Sequence, residues 1–404
     1  MTSMSKVLSI LIGFLLLGNS PLWAQWQNEI FRTPKIQLRD VPIDSNAQGI
    51  EQFNFEPLKN RNRRKNNKPY LQIGGLQYTK NNEYFQATNP GETIIGQRLW
   101  SVVEYQNSGT DIQVTYSLGA MLQFPFDQKL SNQVQLKPIV RLTLQTPKST
   151  IIAGNIDGHV NHNLPEAVYN YEWALKSPIE YGLAWNRNSK FLRWHSWLNW
   201  RQQAIIESSQ QEIIVGGFSS SFTLISPKTS NITRFSLEVP AFMIHQHQGG
   251  ENLKQPQPIQ NKNNSGLGLR LKTKTLQAEY YGIQSLDFSP QPQQPYKNGF
   301  GHLVNISYFI QQNHRLVGTY WNANEFHSPL GAPIYGCVNL SNPYKNIHQK
   351  EVVFLRYAYL KRWTNNTVSE FRLEPGLDLK TNDFLLSFGL YFRFIIGDWS
   401  SYNP

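Results

Sequence analysis

Residues 384–396 read FLLSFGLYFRFII. The even-numbered positions are all large and apolar, whereas Ser387, Gly389 and Arg393 lie between them. Because successive side chains of a β-strand point to opposite faces, this period of two predicts a strand with one wholly apolar face. The run is longer than the roughly five or six residues of an ordinary strand, and its length suits a tilted crossing of a lipid bilayer.

The same alternation recurs along most of the chain, for example over 112–122, 134–144 and 371–379. We expect about sixteen strands, and the sequence places their approximate bounds at 70–79, 93–106, 110–124, 133–146, 149–157, 179–187, 190–201, 211–225, 231–245, 265–273, 275–286, 300–311, 314–323, 351–363, 367–380 and 383–396. Long strands with one fully apolar face argue against a soluble β-sandwich.

The connections between these strands alternate between short and long. The short ones include 107–109, 146–148 and 364–366. Most of those between them are long, and the clearest cases are 80–92, 158–178, 246–264, 287–299 and 324–350. Bacterial outer-membrane barrels have this alternation, with short periplasmic turns and longer outer loops.

The architecture resembles that of porin-like outer-membrane β-barrels of Gram-negative bacteria. The resemblance covers residues 70–396 and predicts an all-β chain: a single transmembrane antiparallel up-and-down barrel of about 16 strands, within a range of 14–18. It implies an outer-membrane location and membrane lipid as a partner. Such barrels often form trimers, but no residue here identifies an interface, so the oligomeric state is open. Many of them end on a terminal aromatic, whereas here a polar tail, 397–404, follows the last strand.

The N-terminal region is expected to lie outside the barrel. Residues 1–24 have a lysine, a short apolar run and a final small residue, which together indicate a secretory signal peptide. Residues 25–69 form a polar, basic segment that we place in the periplasm. Its cluster at 61–68 is too rich in like charges to pack in a core.

Composition narrows the class of protein further. The net charge is +11, only 16% of residues are charged and 13% are aromatic, a balance typical of a barrel with an apolar outer band. An export signal and the lack of a recognisable nucleic-acid motif exclude nucleic acid as an expected partner. The single cysteine, Cys337, has no second cysteine for an intramolecular disulfide.

Charged side chains recur on the faces assigned to the lumen. Arginine on the lipid face near the midplane would cost about 2–4 kcal/mol, so these residues are expected inside. Two interpretations stay open: a positive lumen that favours anions, or ion pairs that fill and stiffen the barrel. The predicted lumen-lining residues are Arg98, Arg141, Arg193, Arg234, Arg270, Arg356, Arg372, Arg393, Glu370 and Glu374.

The third outer loop, 158–178, is the longest interruption in the first half of the chain. Asn163, Pro165 and Glu166 are typical of a helix start, which predicts a short helix ending near Lys176. In the barrels that this chain resembles, this loop commonly folds inward and narrows the pore; an ordinary surface loop is the alternative. The predicted constriction residues are His159, His162, Glu166, Tyr169, Glu172 and Trp173.

No cofactor and no catalytic residue is predicted. His159 and His162, with Asp157 and Glu166 nearby, form a pattern that suits a metal, but two histidines in a polar loop are more often only polar. Ser196 follows His195, yet neighbours in a strand point to opposite faces, and no Gly-x-Ser-x-Gly motif is present.

Three functions remain in consideration. The first is a channel or transport barrel for small polar solutes, with anions favoured if the lumen is positive. The second is a non-transporting surface barrel that anchors a polysaccharide or partner protein, which predicts a plugged lumen under an ordered outer surface. The third is an outer-membrane enzyme, which predicts a cluster of serine, histidine or carboxylate side chains at one rim.

Overall fold

The computed structural model describes residues 69–396 apart from 86–89, 110, 127–133, 206–209, 227–234, 251–256, 274, 312, 340–345 and 365. The expected signal peptide, almost all of the basic segment and the polar tail lie outside the described residues. The strands are Tyr70–Phe85 (β1), Pro90–Ser108 (β2), Gln113–Pro125 (β3), Gln135–Gln145 (β4), Ser149–Ile156 (β5), Glu180–Asn188 (β6), Leu192–Gln202 (β7), Ile213–Ile225 (β8), Ser236–Gln248 (β9), Gln260–Lys272 (β10), Leu276–Asp287 (β11), Asn298–Gln311 (β12), His314–Asn324 (β13), Gln349–Thr364 (β14), Thr367–Asp378 (β15) and Phe384–Ile396 (β16).

The sixteen strands form one closed barrel in chain order. Each pairs antiparallel with its neighbours, and β1 closes the sheet against β16, for example through Ile73 opposite Ile396. A porin-like outer-membrane barrel is therefore confirmed as the fold. Within the described part of the chain, no helix is long and apolar enough to cross a membrane.

Two strands extend at least five residues further toward the long-loop end, here called the outer end, than the sequence predicts. β1 continues to Phe85 rather than stopping at residue 79, and β10 begins at Gln260 rather than at residue 265. The added residues in β10 read QNKNN, which is polar on both faces. A stretch without apolar alternation gives no period-two signal, although backbone pairing still continues through it.

The helix predicted in the third outer loop is present and ends at Lys176 as expected, but it does not begin at Asn163. The loop, 157–179 (loop 3), has a short 3-10 helix, His159–His162, and one helical turn, Trp173–Lys176 (α1). Asn163 has φ 55°, a left-handed conformation that ends the first element and is unlike the extended conformation of an N-cap. Residues 166–169 form a turn instead.

The two faces of several strands exchange character along their length. Near the inner end of β9, Glu238 faces the lumen and Val239 faces outward; near the outer end, Ile244 faces the lumen and His245 faces outward. The outer part of the lumen therefore has an apolar wall. This wall packs around loop 3 and a second outer loop, 325–348 (loop 7).

Candidate functional site: the plugged lumen

Loops 3 and 7 interlock inside the outer half of the barrel. The amide of Asn170 donates to the carbonyl of Leu330 over 2.7 Å, and the amide of Ala332 donates to the carbonyl of Glu166 over 3.0 Å. Gly331 lies so close to loop 3 that a Cβ there would overlap a backbone oxygen of that loop. The two loops thus form one packed body.

Apolar burial holds this body against the wall. Val168 and Leu175 of loop 3 and Phe326 of loop 7 have no exposed surface, and neither does Trp321 of the wall. The indole nitrogen of Trp321 donates to the carbonyl of Tyr335 over 2.9 Å. An apolar core inside a barrel excludes water from the path that an open channel would need.

Polar contacts tie loop 3 to strands on both sides of the barrel. Arg98 on β2 donates to the carbonyls of Ala174 (2.6 Å) and Leu175 (3.1 Å) at the end of α1. Arg356 of β14, four strands away round the barrel, donates to Glu166 over 2.9 Å, and on β7, nearly opposite β14, the His195 Nε2 lies 2.9 Å from the His162 Nδ1. The loop therefore spans the lumen, and its place as the constriction of a channel stays a proposal.

The predicted lumen residues within the described part of the chain all face inward, whereas Arg234 lies outside it. Most of the arginines contact carboxylates: Arg141 with Asp157, Arg193 and Arg270 with Glu238, Arg356 with Glu374, and Arg372 with Glu370. These contacts agree better with ion pairs that fill and stiffen the barrel than with a lumen lined by unpaired positive charges. Arg141 and Arg356 contact loop 3 itself, whereas Arg193 and Arg270 meet Glu238 near the inner end of β9.

A buried histidine–carboxylate cluster lies between loop 3 and β6–β7. His159 and His162 of loop 3 meet Glu180, the first residue of β6: the His159 Nδ1 is 3.2 Å from one carboxylate oxygen and the His162 Nε2 is 2.9 Å from the other. The Tyr169 hydroxyl donates to Glu180 over 2.7 Å. Three predicted loop residues therefore converge on a carboxylate that the prediction did not include.

A third histidine, His195, extends the cluster toward the inner end. The Nδ1 of His162 lies 2.9 Å from the Nε2 of His195, whose own Nδ1 lies 2.7 Å from the Asn186 amide oxygen. The ring of His162 also stacks on Trp197 at 3.9 Å. Glu180, His162, His195 and Asn186 thus form a continuous hydrogen-bonded chain.

His159 differs from its neighbours because neither of its ring nitrogens makes a hydrogen bond to the protein, although its Nδ1 lies 3.2 Å from Glu180. Its Nε2 is buried without a hydrogen bond, and its backbone has φ 55°. Burial, only partly offset by Glu180, lowers the pKa of His159 to about 4, so the ring is neutral near pH 7. A neutral imidazole that lies beside a carboxylate, with neither ring nitrogen hydrogen-bonded to the protein, is suited to act as a base.

Glu180 and His195 had no distinguishing signal in the sequence. Each lies in a strand, and their meeting depends on the register of β6 against β7, in which Asn186 is opposite His195. Loop 7 did carry a signal, since 326–338 is unusually apolar for a loop assigned to the surface. Within the described residues, no group of three or more His, Cys, Asp or Glu is arranged to hold a metal ion.

Comparison with known proteins gives one family. A family model described as lipid A 3′-O-deacylase-type matches residues 61–396, which includes every strand of the barrel. No curated protein matches the chain at a significant level.

Solved structures of similar shape are outer-membrane barrels. OccAB4 of Acinetobacter baumannii is 10% identical with a TM-score of 0.47, over 81% of this chain and 98% of that one. OprD of Pseudomonas aeruginosa is 7% identical with a TM-score of 0.48, over 81% and 95% of the two chains. OpdL of the same organism is 10% identical with a TM-score of 0.49, over 82% and 99%. Likenesses this distant carry nothing about solutes or activity.

Proposed function

Since this chain belongs to the lipid A 3′-O-deacylase-type family, we propose that it is an outer-membrane hydrolase that removes an ester-linked acyl chain from a lipid A-type glycolipid. The observation that carries the proposal is the cluster in which Glu180 holds His159 and His162 at the outer end of the lumen. A histidine–carboxylate cluster at one rim is the feature that separates an enzyme from a channel or an anchor.

In the proposed ester hydrolysis, the Nε2 of His159 acts as the general base. This nitrogen accepts a proton from a water molecule while the water oxygen forms a bond to the ester carbonyl carbon. The bond between the carbonyl carbon and the sugar oxygen then breaks. The sugar oxygen takes the proton from His159 and leaves as a hydroxyl group. Glu180 orients the imidazole and stabilises its charged form, which Tyr169 supports by donating to the same carboxylate.

Entry of substrate requires loop 3 to move, because His159 is only 7% exposed. The acyl chain and the sugar would enter from the outer leaflet, on the side where loop 3 leaves β5. Motion of a loop that closes over its site is a common gate for hydrolysis.

Mass spectrometry of lipid A after incubation with the purified barrel in lipid vesicles tests the proposal. We expect loss of one acyl chain, and a fall of about 10²–10⁴-fold in rate for His159→Gln, the usual contribution of a general base. His348→Gln is the matched control, because this histidine lies exposed in loop 7 against Glu325. Intact lipid A with the unmodified protein would overturn the assignment.

The pH profile gives a second test. Because the pKa of His159 lies near 4, the base stays unprotonated down to about that pH, and activity should fall only as pH drops through this range. An acid limb near the ordinary histidine pKa of about 6.5 would point to a different base.

A transport function is the second candidate, and the inward loop 3 favours it. In that case the barrel passes small polar solutes once loop 3 moves, with anions preferred if Arg141 and Arg193 bias the path. Ion selectivity of the purified protein in a planar bilayer tests this: the Arg141→Gln and Arg193→Gln variants should prefer anions less strongly at low salt. Cation selectivity in the unmodified protein would reject the anion preference.

Both candidates share one location and one domain organisation. We propose export through a signal peptide at 1–24, a periplasmic basic segment at 25–69, and a barrel at 70–396 in the outer membrane of a Gram-negative bacterium. Peptide mapping of the mature N-terminus and fractionation of the envelope would check both points.

A further inference from the structure

The outward face of strands β9–β14 turns from apolar to polar part of the way toward the outer end. On β9 the outward positions are apolar from Leu237 to Met243, and the next is His245; on β12 they are apolar from Ile310 to Val304, His302 follows, and Phe300 beyond it is apolar again. Each apolar run covers seven residues. Along strands tilted by about 40° this gives a height of roughly 15–18 Å.

Other parts of the wall keep an apolar outward face for longer. It runs from Val114 to Phe124 on β3 and from Phe384 to Ile396 on β16, and Leu118 and Leu390 are more than half exposed. These runs correspond to roughly 28–34 Å, whereas the apolar band of such barrels is about 25 Å tall. With the inner ends of these apolar runs level in a bilayer of even thickness, the polar positions of β9–β14 fall within the hydrocarbon layer.

The polar positions on β12–β14 form a continuous surface, and together with those on β9–β11 they are here called the polar band. His302, Asn322 and Glu351 are direct cross-strand neighbours on β12, β13 and β14. The Tyr280 hydroxyl lies 2.7 Å from the His302 Nδ1, and the Tyr320 hydroxyl donates to Glu351 over 2.9 Å. The band consists of His245, Asn263, Gln284, His302, Asn322 and Glu351.

The side chains of the polar band restrict the kind of molecule that it can bind. Hydrocarbon offers no hydrogen bonds, so exposed amides and imidazoles there need a partner that supplies them. The formal charge on the band is that of Glu351, which Lys380 approaches to 3.6 Å. A surface without clustered arginine or lysine is poorly suited to phosphate, whereas mixed amide, imidazole and tyrosine groups suit the hydroxyl and amide groups of a sugar.

We propose that the polar band binds the sugar and amide region of an outer-leaflet glycolipid and draws it toward the membrane midplane, thinning the bilayer along β9–β14. The lipid class rests on the proposed function, but the band lies on the outside of the barrel and is separate from the buried histidine cluster. Lipid binding by the polar band can therefore be tested independently of hydrolysis.

Native mass spectrometry of the barrel, released from nanodiscs that contain lipid A and phosphatidylglycerol, tests this proposal. The test variant combines His302→Leu, Asn322→Leu and Glu351→Leu, which are compatible with a lipid-facing surface. We expect the barrel to retain lipid A at least about tenfold less than the unmodified protein, as expected for the loss of two or more hydrogen bonds. Retention of phosphatidylglycerol should be unchanged.

The matched control replaces outward polar residues elsewhere on the barrel: Gln97→Leu, Ser101→Leu and Ser196→Leu. It should retain lipid A like the unmodified protein, and the single variant His302→Leu provides a milder test if the triple variant fails to fold. Equal lipid A retention in test and control variants would overturn the proposal. A change in subunit number without loss of lipid A would overturn it as well, since the band would then be a protein interface.

The outcome is distinguishable from that of the hydrolase proposal. His159→Gln should slow deacylation by about 10²–10⁴-fold and leave lipid A bound, whereas the polar-band variant should lose binding even if no deacylation is ever detected. Lipid A retained by the unmodified barrel but never cleaved would support the band and reject the hydrolase.

Discussion

The outer and inner halves of the lumen fill the same barrel by different means. In the outer half, apolar side chains such as Trp321 and Ile283 pack against two interlocked loops. In the inner half, Glu238 receives Arg193, Arg270 and Lys272 within 3.2 Å. The first arrangement excludes water and resembles the core of a soluble protein, whereas the second keeps charges that water can still reach.

This difference shows that barrel closure does not determine what the lumen does. The exchange of faces along β9 makes the outer portion a packed structure, and the inner portion retains the polar interior of a membrane barrel. Permeation and stability should therefore respond differently to changes in the two halves.

The largest effect is expected from removing the plug. Deleting residues 163–175 removes α1 and most contacts between loops 3 and 7, which should open a water-filled path. We expect a low or absent conductance in the unmodified protein and discrete channel openings in the deletion variant, measured in planar bilayers. A folded deletion variant, checked by its heat-dependent gel migration, that still conducts nothing would mean that the inner ion pairs alone close the lumen.

A change within the outer core tests whether it contributes to stability. Trp321→Ala leaves a cavity and removes the hydrogen bond to Tyr335, so the free energy of unfolding should fall by about 3–5 kcal/mol. Urea titration of the barrel in lipid vesicles gives this quantity. A loss below about 1 kcal/mol would show that the plug packs loosely.

The contact between the two loops provides a smaller and more local test. Gly331→Val places a side chain against the loop 3 backbone, and overpacking of this kind costs about 1–3 kcal/mol. Partial opening should appear as brief conductance events with the barrel intact. Gly336→Val is the matched control, because a Cβ there meets nothing closer than 3.3 Å.

The smallest effect is expected in the inner half. Arg193→Gln removes one partner of Glu238, but Arg270 and Lys272 remain, and the Arg193 side chain is 31% exposed. We expect a loss of about 1 kcal/mol or less, which should shrink further as salt screens the charges. A salt-independent loss as large as that of Trp321→Ala would remove the distinction between the halves.

The sequence predicted the membrane barrel well because one apolar face must meet lipid along each strand. Strands β3 and β16 keep this pattern over their full length, and both were predicted. The outer ends of β1 and β10 were missed because residues such as Asn81, Asn82, Asn263 and Asn264 are polar on both faces.

The candidate site was only partly predictable. His159, His162 and Tyr169 were singled out as members of an inward loop, but Glu180 and His195 gain their importance only from tertiary contacts. The helix prediction failed at Asn163, where a left-handed residue terminates one short element instead of beginning the next. Residue preferences over a few neighbouring positions cannot show whether such an asparagine ends one helical element or begins the next.

Loop 3 also has a mechanical consequence for the line where β1 meets β16. Asn82 of β1 donates to Glu172 of loop 3 over 2.8 Å and accepts from Ser387 of β16 over 2.8 Å, while Lys80 of β1 lies 3.3 Å from Glu374 of β15. The first and last strands are thus joined by internal braces as well as by their backbone ladder. Such braces resist sideways parting of the wall at this seam.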